Sequence, residues 1–341
     1  MYLKTGLKVA LAVAFMAAAP GAFAQKIEPL KELTDVRMSH VPSFVYGGLY
    51  IAQDKGYFKE RGLTVDLVIV RGGDTTYQVA GKTIEFSGGS ADSAFFNSIK
   101  RGLPLTLISS LAITGPEHST NPLVVRKDLK DSGEVGTIAQ LKGKKIANLA
   151  PGGITEYLLN LAITSGGLTS KDVQIVMPMG FGQMVEALNT KTVDAAMLAE
   201  PFATMSEQKG TGVRLGTTHD RNEQILVIKT SADWAKQNPN IVGNFLIAFL
   251  KGARDLAGDG FRKPENLAIL EKYTKVPQAV IAASMTPVIP VDGALNVDSI
   301  MKQQRFYSER GYITDKVILE PASFIDTSYL KSANETLGPA K

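Results

Sequence analysis

The chain has 341 residues, with 37 Lys plus Arg against 33 Asp plus Glu and no cysteine. That length suits two domains or lobes, and the absence of cysteine excludes disulfides. A charge excess this small, with no basic block, gives no basis for a nucleic-acid partner.

The first 24 residues read as a secretory signal peptide. Lys4 and Lys8 precede an apolar run from Val9 to Ala19, and Ala22-Phe23-Ala24 forms a small-x-small cleavage site before Gln25. The run is too short to span a membrane as a permanent anchor. Removing 1–24 takes two lysines and no acid, leaving 317 residues with a net charge of +2. No cysteine follows the cleavage site to carry a lipid, so the expected location is the periplasm, without a lipid anchor.

In the mature chain, strands are expected near 35–39, 64–70, 84–88 and 105–111, with helices near 45–55, 74–81 and 90–101 between them. In "DKGYFKERGLTV", Gly56 and Gly62 read as left-handed stops around a solvated turn. A second series follows, with strands near 144–149, 173–177, 193–198 and 212–216 and helices near 153–165, 181–190 and 201–209. From about 225 the pattern changes. The strand "QILVIKT" leads into helices near 239–257, 264–274, 277–285 and 297–310, which return to cover the first lobe.

The two series are related. "GGLYIAQDKGYFKERGLTVDLVIV" (47–70) aligns without a gap on "GGITEYLLNLAITSGGLTSKDVQI" (152–175). "QVAGKTIEF" parallels "ALNTKTVDA", and "KRGLPLTLI" parallels "QKGTGVRLG", at offsets of 105, 109 and 108 along the three pairs. Three matches in order imply two lobes of one plan. The expected fold class is therefore α/β: two similar lobes with parallel-type sheets, two crossings near 112–122 and 217–223, and a central cleft. The expected organisation is signal peptide 1–24, first part of lobe I 25–115, lobe II 116–221, and the lobe I return with C-terminal helices 222–341.

Open α/β sheets bind ligands outside the carboxyl ends of their strands. Four loops lie there. In 39–46, Ser39, His40, Phe44 and Tyr46 are candidates to hydrogen-bond or stack on a solute; Phe44 and Tyr46 equally suit the lobe core. In "SGGSADS", Gly89 permits close approach, and Ser90 opens a helix as ligand contact or cap. In "LAPGGITEY", Gly152 and Gly153 expose backbone donors at a helix start, a place for an anion, and Thr155 adds a hydroxyl. Glu156 reads as a first-turn dipole partner. On that geometry Gly153→Val should block binding. In "MGFGQ" and "AEPF", Gly180, Gln183 and Glu200 are candidate linings. His118 and His219 join His40 in cleft or crossing loops, without the spacing of a metal site, and Arg71 is a candidate cation for an anionic ligand.

"YIAQDKGYFKERGLTVDLV", "GGDTTYQVAGKTIEFSGGSADS", "LKGKKIANLAPGG", "MVEALNTKTVDAAMLAEPF" and "NPNIVGNFLIAFLKGARDL", in this order, resemble the nitrate/sulfonate/taurine type of ABC-importer substrate-binding protein. The thiamine-pyrimidine-synthase-like superfamily includes that type. The resemblance covers nearly all of the mature chain; Glu85 stands where the family often has Asp. It implies a type II two-lobed periplasmic-binding-protein fold, a small-molecule ligand, and as partners an inner-membrane ABC permease with its ATPase, acting as a monomer without a cofactor or metal. A small organic anion is the expected ligand, with a neutral thiamine-pyrimidine or vitamin precursor as the alternative. Enzyme motifs fail: Thr76 replaces the first glycine of a phosphate loop, Val185 breaks a dinucleotide pattern, and Asp92 breaks a nucleophile elbow. The eukaryotic pyrimidine synthases carry a cysteine-rich motif that this chain lacks. A sensor or co-receptor domain that passes ligand occupancy to a membrane partner fits the same sequence.

Overall fold

Two five-stranded sheets share the chain in the computed structural model, which describes residues 26–70, 74–115, 120–215 and 222–340. The expected signal peptide, and Arg71, His118 and His219, lie outside the described residues. The first sheet is begun by β1 (Thr34–His40), α1 (Gly47–Asp54), α2 (Tyr57–Glu60), β2 (Leu63–Ile69), α3 (Asp74–Ala80), β3 (Phe86–Gly89), α4 (Ser93–Lys100) and β4 (Leu105–Ile113). The second comprises β5 (Leu123–Arg126), α5 (Lys127–Asp131), β6 (Lys145–Ala147), α6 (Ile154–Ser165), β7 (Gln174–Val176), α7 (Phe181–Asn189), β8 (Ala195–Met197), α8 (Phe202–Gln208) and β9 (Gly212–Arg214). The chain then returns as β10 (Gln224–Ser231), α9 (Ala232–Gln237), α10 (Pro239–Asp255), α11 (Pro264–Thr274), α12 (Gln278–Ala283), α13 (Val297–Glu309) and α14 (Ser328–Leu337).

Strand orders are β2-β1-β3-β10-β4 and β7-β6-β8-β5-β9. The repeat read from sequence is thus a repeat of topology, and the fold is two-lobed α/β. Each sheet is mixed, where parallel-type sheets were expected. β10 runs antiparallel between β3 and β4, and β5 runs antiparallel between β8 and β9. The reason is geometric. A strand that arrives from the other lobe enters between two strands at their carboxyl ends and must run away from that lobe, against its neighbours. The sequence reading missed β5, a four-residue strand without alternation. It also took Lys59–Arg61 for a turn, where α2 forms between Gly56 and Gly62, both left-handed as expected.

α10 organises the core of the first lobe. Asn238 precedes Pro239 at the first helical position, and Val242, Phe245, Leu246, Phe249 and Ala253 are buried along it. Phe245 stacks on Phe86 with ring centroids 3.9 Å apart. α10 crosses α1 at glycines: a β-carbon on Gly252 would lie 2.0 Å from the Gly48 carbonyl oxygen.

The C-terminal segment does more than cover the first lobe. α13 packs against both α4 and α6. Beyond it, Arg310 donates to Ser170 Oγ at 2.8 Å and Asn160 Oδ1 at 3.1 Å in the second lobe. Asn97 donates to the Tyr312 carbonyl at 2.8 Å, and Lys100 pairs with Asp315, both in the first lobe. The segment brackets the two lobes.

Two outcomes follow. Gly252→Ala forces the α1–α10 crossing apart, and overpacking of this kind costs roughly 1–3 kcal/mol, readable by urea denaturation. His40, which ends β1, is held uncharged by burial, which pushes its pKa below the ordinary value. The unfolded chain therefore takes up a proton first, so His40's contribution is full above the ordinary histidine range and lost as pH falls through it. Stability should fall between about pH 7 and pH 5 more steeply in the wild type than in His40→Gln.

Candidate functional site

The carboxyl ends of the parallel strands in the two lobes meet. Ser93 N–H, at the start of α4, donates to the Gly152 carbonyl at 3.1 Å, joining the loop after β3 to the loop after β6. Met285 N–H, beyond α12, donates to Glu200 Oε1 at 3.2 Å, joining the return segment to the loop after β8. These strand-end loops enclose the candidate cleft.

The predicted residues divide. Ser39 and His40 are buried at the end of β1. His40 Nδ1 lies 2.9 Å from Tyr50 Oη, and that hydroxyl donates to the Val41 carbonyl at 3.0 Å. The Tyr50 hydroxyl thus links the His40 ring to the backbone that follows β1. Phe44 and Tyr46 belong to the core. Phe44 packs edge-on to Phe261 at 5.6 Å, and the Tyr46 hydroxyl donates to the Gly88 carbonyl at 3.2 Å. Neither stacking role holds, because the short 3-10 turn at Phe44–Tyr46 directs both rings inward. Gly89 and Ser90 are half-buried at the cleft edge, and the Ser90 carbonyl accepts from Lys229 Nζ at 2.9 Å.

The helix start at Gly152-Gly153 has one of its backbone donors taken by a side chain, while its N-cap Gly153 has no side-chain cap. Gly152 N–H donates to Glu156 Oε2 at 2.8 Å, and the other oxygen of that buried carboxylate accepts from the Tyr312 hydroxyl at 3.1 Å. Gly152 is left-handed, and a β-carbon there would sit 2.4 Å from Ser93 Oγ, so this glycine serves the contact between lobes. Gly153 is extended, at φ −106° and ψ 170°, and a β-carbon there would meet only the Ala150 carbonyl oxygen at an ordinary 3.7 Å, so nothing in the turn requires glycine. With the Gly152 N–H taken, an anion at this start would meet the backbone from Gly153 onward, and Gly153→Val remains its test. Thr155 is buried in the first turn of α6.

Two further helix starts follow the same rule. Asp92 accepts from Phe95 N–H at 2.9 Å, and Glu200 accepts from Thr204 N–H at 3.1 Å. Glu200 also pairs with Arg214 and accepts from Met285 N–H, so both its oxygens are engaged by the protein. Gly180 N–H is taken by Gln183 Oε1 at 3.0 Å. At each of these helix starts one backbone N–H is taken by a side chain close in sequence.

Residues that the sequence reading missed carry the open valences. Asn148, at the cleft end of β6, is fully buried with neither side-chain atom bonded, and Thr120 Oγ1 is likewise unpartnered. Ser39 Oγ and Ser87 Oγ are buried without partners. Lys229 is 2% exposed, and burial lowers its pKa. A lysine inside the apolar run "QILVIKT" was the available signal for it. Among the described residues no group of three or more His, Asp or Glu side chains is placed to hold a metal. A hollow of about 620 Å³ at the opposite end of the first sheet is lined by Asp35, Arg37, Asp66 and Glu85; its one cation, Arg37, is already paired with Glu85 at 3.0 Å.

Comparison with known proteins places this architecture. The family model NMT1/THI5 like matches residues 43–259. The YtlA protein of Bacillus subtilis (strain 168) is 28% identical over 263 residues, 74% of this chain and 75% of its own. The nitrate/nitrite binding protein NrtA of Nostoc sp. (strain PCC 7120) is 24% identical over 239 residues, 65% of this chain and 54% of its own length. The alkanesulfonate-binding protein SsuA of Xanthomonas axonopodis pv. citri, solved bound to MOPS, superposes with a TM-score of 0.67 at 17% identity, covering 87% of this chain and 99% of that one. The desulfurization enzyme DSZB shares the fold at a TM-score of 0.63 and 14% identity, over 88% of this chain and 98% of its own. With its family model matched over residues 43–259, the chain belongs to the NMT1/THI5-like family.

Proposed function

We propose that the chain is the exported receptor of an ABC importer, capturing one small organic anion between its lobes and presenting it to an inner-membrane permease with its ATPase. The single observation that carries the reading is the paired cleft: two lobes of one topology whose strand-end loops meet, with buried polar groups there lacking protein partners. Binding proteins named for nitrate and sulfonate share the fold, which favours an anion. We place lobe I at 25–115 and 222–341 and lobe II at 116–221, with a signal peptide at 1–24 and the periplasm as destination. Turnover has little to work with: the chain has no cysteine, and Glu156 and Glu200 are committed to helix starts and neighbouring side chains.

One observation favours a second reading. Asn148 leaves a donor and an acceptor open side by side, which an oxyanion alone cannot satisfy and a neutral pyrimidine edge can.

Two measurements test these statements. Ligand binding should raise the melting temperature and reduce the radius of gyration in solution scattering, with the ligand recovered chemically unchanged; recovery of a transformed product overturns the receptor reading in favour of an enzyme. Expressed with its leader in a Gram-negative host, the protein should appear in the periplasmic fraction with Gln25 at its N-terminus by mass spectrometry. Retention in the cytoplasm at full length overturns the export reading.

A further inference from the structure

The two sheets offer an internal comparison. Ser39 of β1 pairs with Ser87 of β3, and Ser87 pairs with Lys229 of β10. In the matching strands of the second sheet, Ala147 of β6 pairs with Ala196 of β8, and Ala196 pairs with Val124 of β5. Residues directly opposite on paired strands share a face. The same three-residue row therefore occurs in both lobes, next to the cleft. In the second it is Ala-Ala-Val, packed with Met184, Val185 and Leu188 of α7 in an apolar cluster. In the first it is Ser-Ser-Lys, and the corresponding helix α3, which lies against β3 and β10, brings buried Thr76.

The fold therefore does not require polarity in this row; the sister lobe fills it with hydrocarbon. Burying an ammonium on a single carbonyl, beside two hydroxyls without partners, opposes folding. Lys229 Nζ uses one donor on the Ser90 carbonyl, lies 5.7 Å from the centre of the Phe95 ring, and among the described residues is in no ion pair. Asp92 acts on it electrostatically without a hydrogen bond, since that carboxylate caps α4. The two serine hydroxyls have no partner. Ser90 lies in the loop that adjoins Ser93 and so reaches the other lobe, which places the ammonium at the cleft.

We propose that Lys229, Ser39 and Ser87 form the seat for the anionic group of the ligand, a carboxylate or sulfonate held against the first sheet. The ammonium has two N–H groups to spare and each serine has one hydroxyl, a donor set that matches an oxyanion, which only accepts. The inference rests on the receptor reading and names the group in the cleft that selects for charge.

The test uses the mature chain, with ethanesulfonate, benzoate and nitrate as probes and with ethanesulfonamide and benzamide as neutral counterparts, read by calorimetric titration and thermal melts. The wild type should bind at least one anion more tightly than its neutral counterpart. Lys229→Met should weaken that anion roughly a hundredfold while changing the neutral probe little. Ser87→Ala, which installs the residue of the sister lobe, should weaken it roughly tenfold without lowering the melting temperature of the free protein. If both variants fold and bind the anion like wild type, the seat is elsewhere and the receptor reading stands. If only neutral probes bind the wild type, the anionic ligand and its seat both fall. Binding of none of the probes overturns the seat and the receptor reading together. Should Lys229→Met fail to fold, the Ser39→Ala/Ser87→Ala double variant decides: a loss of tenfold or more supports the seat, and unchanged affinity rejects it.

Discussion

Each sheet of this protein is completed by a strand that arrives from the other lobe, and the rest of the architecture depends on that exchange. β5 enters the second sheet only after the chain has left β4, and β10 enters the first only after it has left β9. Because both crossings join the same two sheet edges, those edges stay opposite one another, and the carboxyl ends of the parallel strands cannot face away. The cleft is thus a consequence of connectivity. α13 and the segment after it add a bracket across both lobes, with Arg310 on one side and the Lys100–Asp315 pair on the other. Any opening of the cleft must pivot about these ties or break them.

Within that frame the two lobes treat the same positions differently. At the starts of α4, α6 and α8, a carboxylate from the helix itself or just before it takes up backbone N–H groups. Such an internal anion satisfies donors that would otherwise be orphaned and interacts favourably with the helix dipole. A ligand at these starts would sit beside a carboxylate that already holds one backbone N–H. That like charge disfavours an anion there and turns attention to side chains: Ser39 and Ser87 in the first lobe and Asn148 and Thr120 in the second are unsatisfied among the described residues, with Lys229 beside the two serines on a single carbonyl. The apolar row Ala147, Ala196 and Val124 records what the fold does at the same place when packing alone decides.

The sequence by itself determined whatever is local or periodic. The strand–helix alternation, the internal repeat and the left-handed stops at Gly56 and Gly62 were legible because hydrophobic period and glycine conformation act over a few residues. Its order of motifs also carried the family. β5 was not legible, because four residues without alternation give no signal for a strand whose existence depends on a sheet built mostly from later residues. Tertiary structure decided the direction of β5 and β10, the inward turn of Phe44 and Tyr46, and the closing of Glu156 onto Gly152. It also decided which polar residues are left without partners. Ser39, Ser87 and Lys229 are far apart in sequence and become one row only through strand register, and register is set by pairings between distant segments that no local pattern encodes.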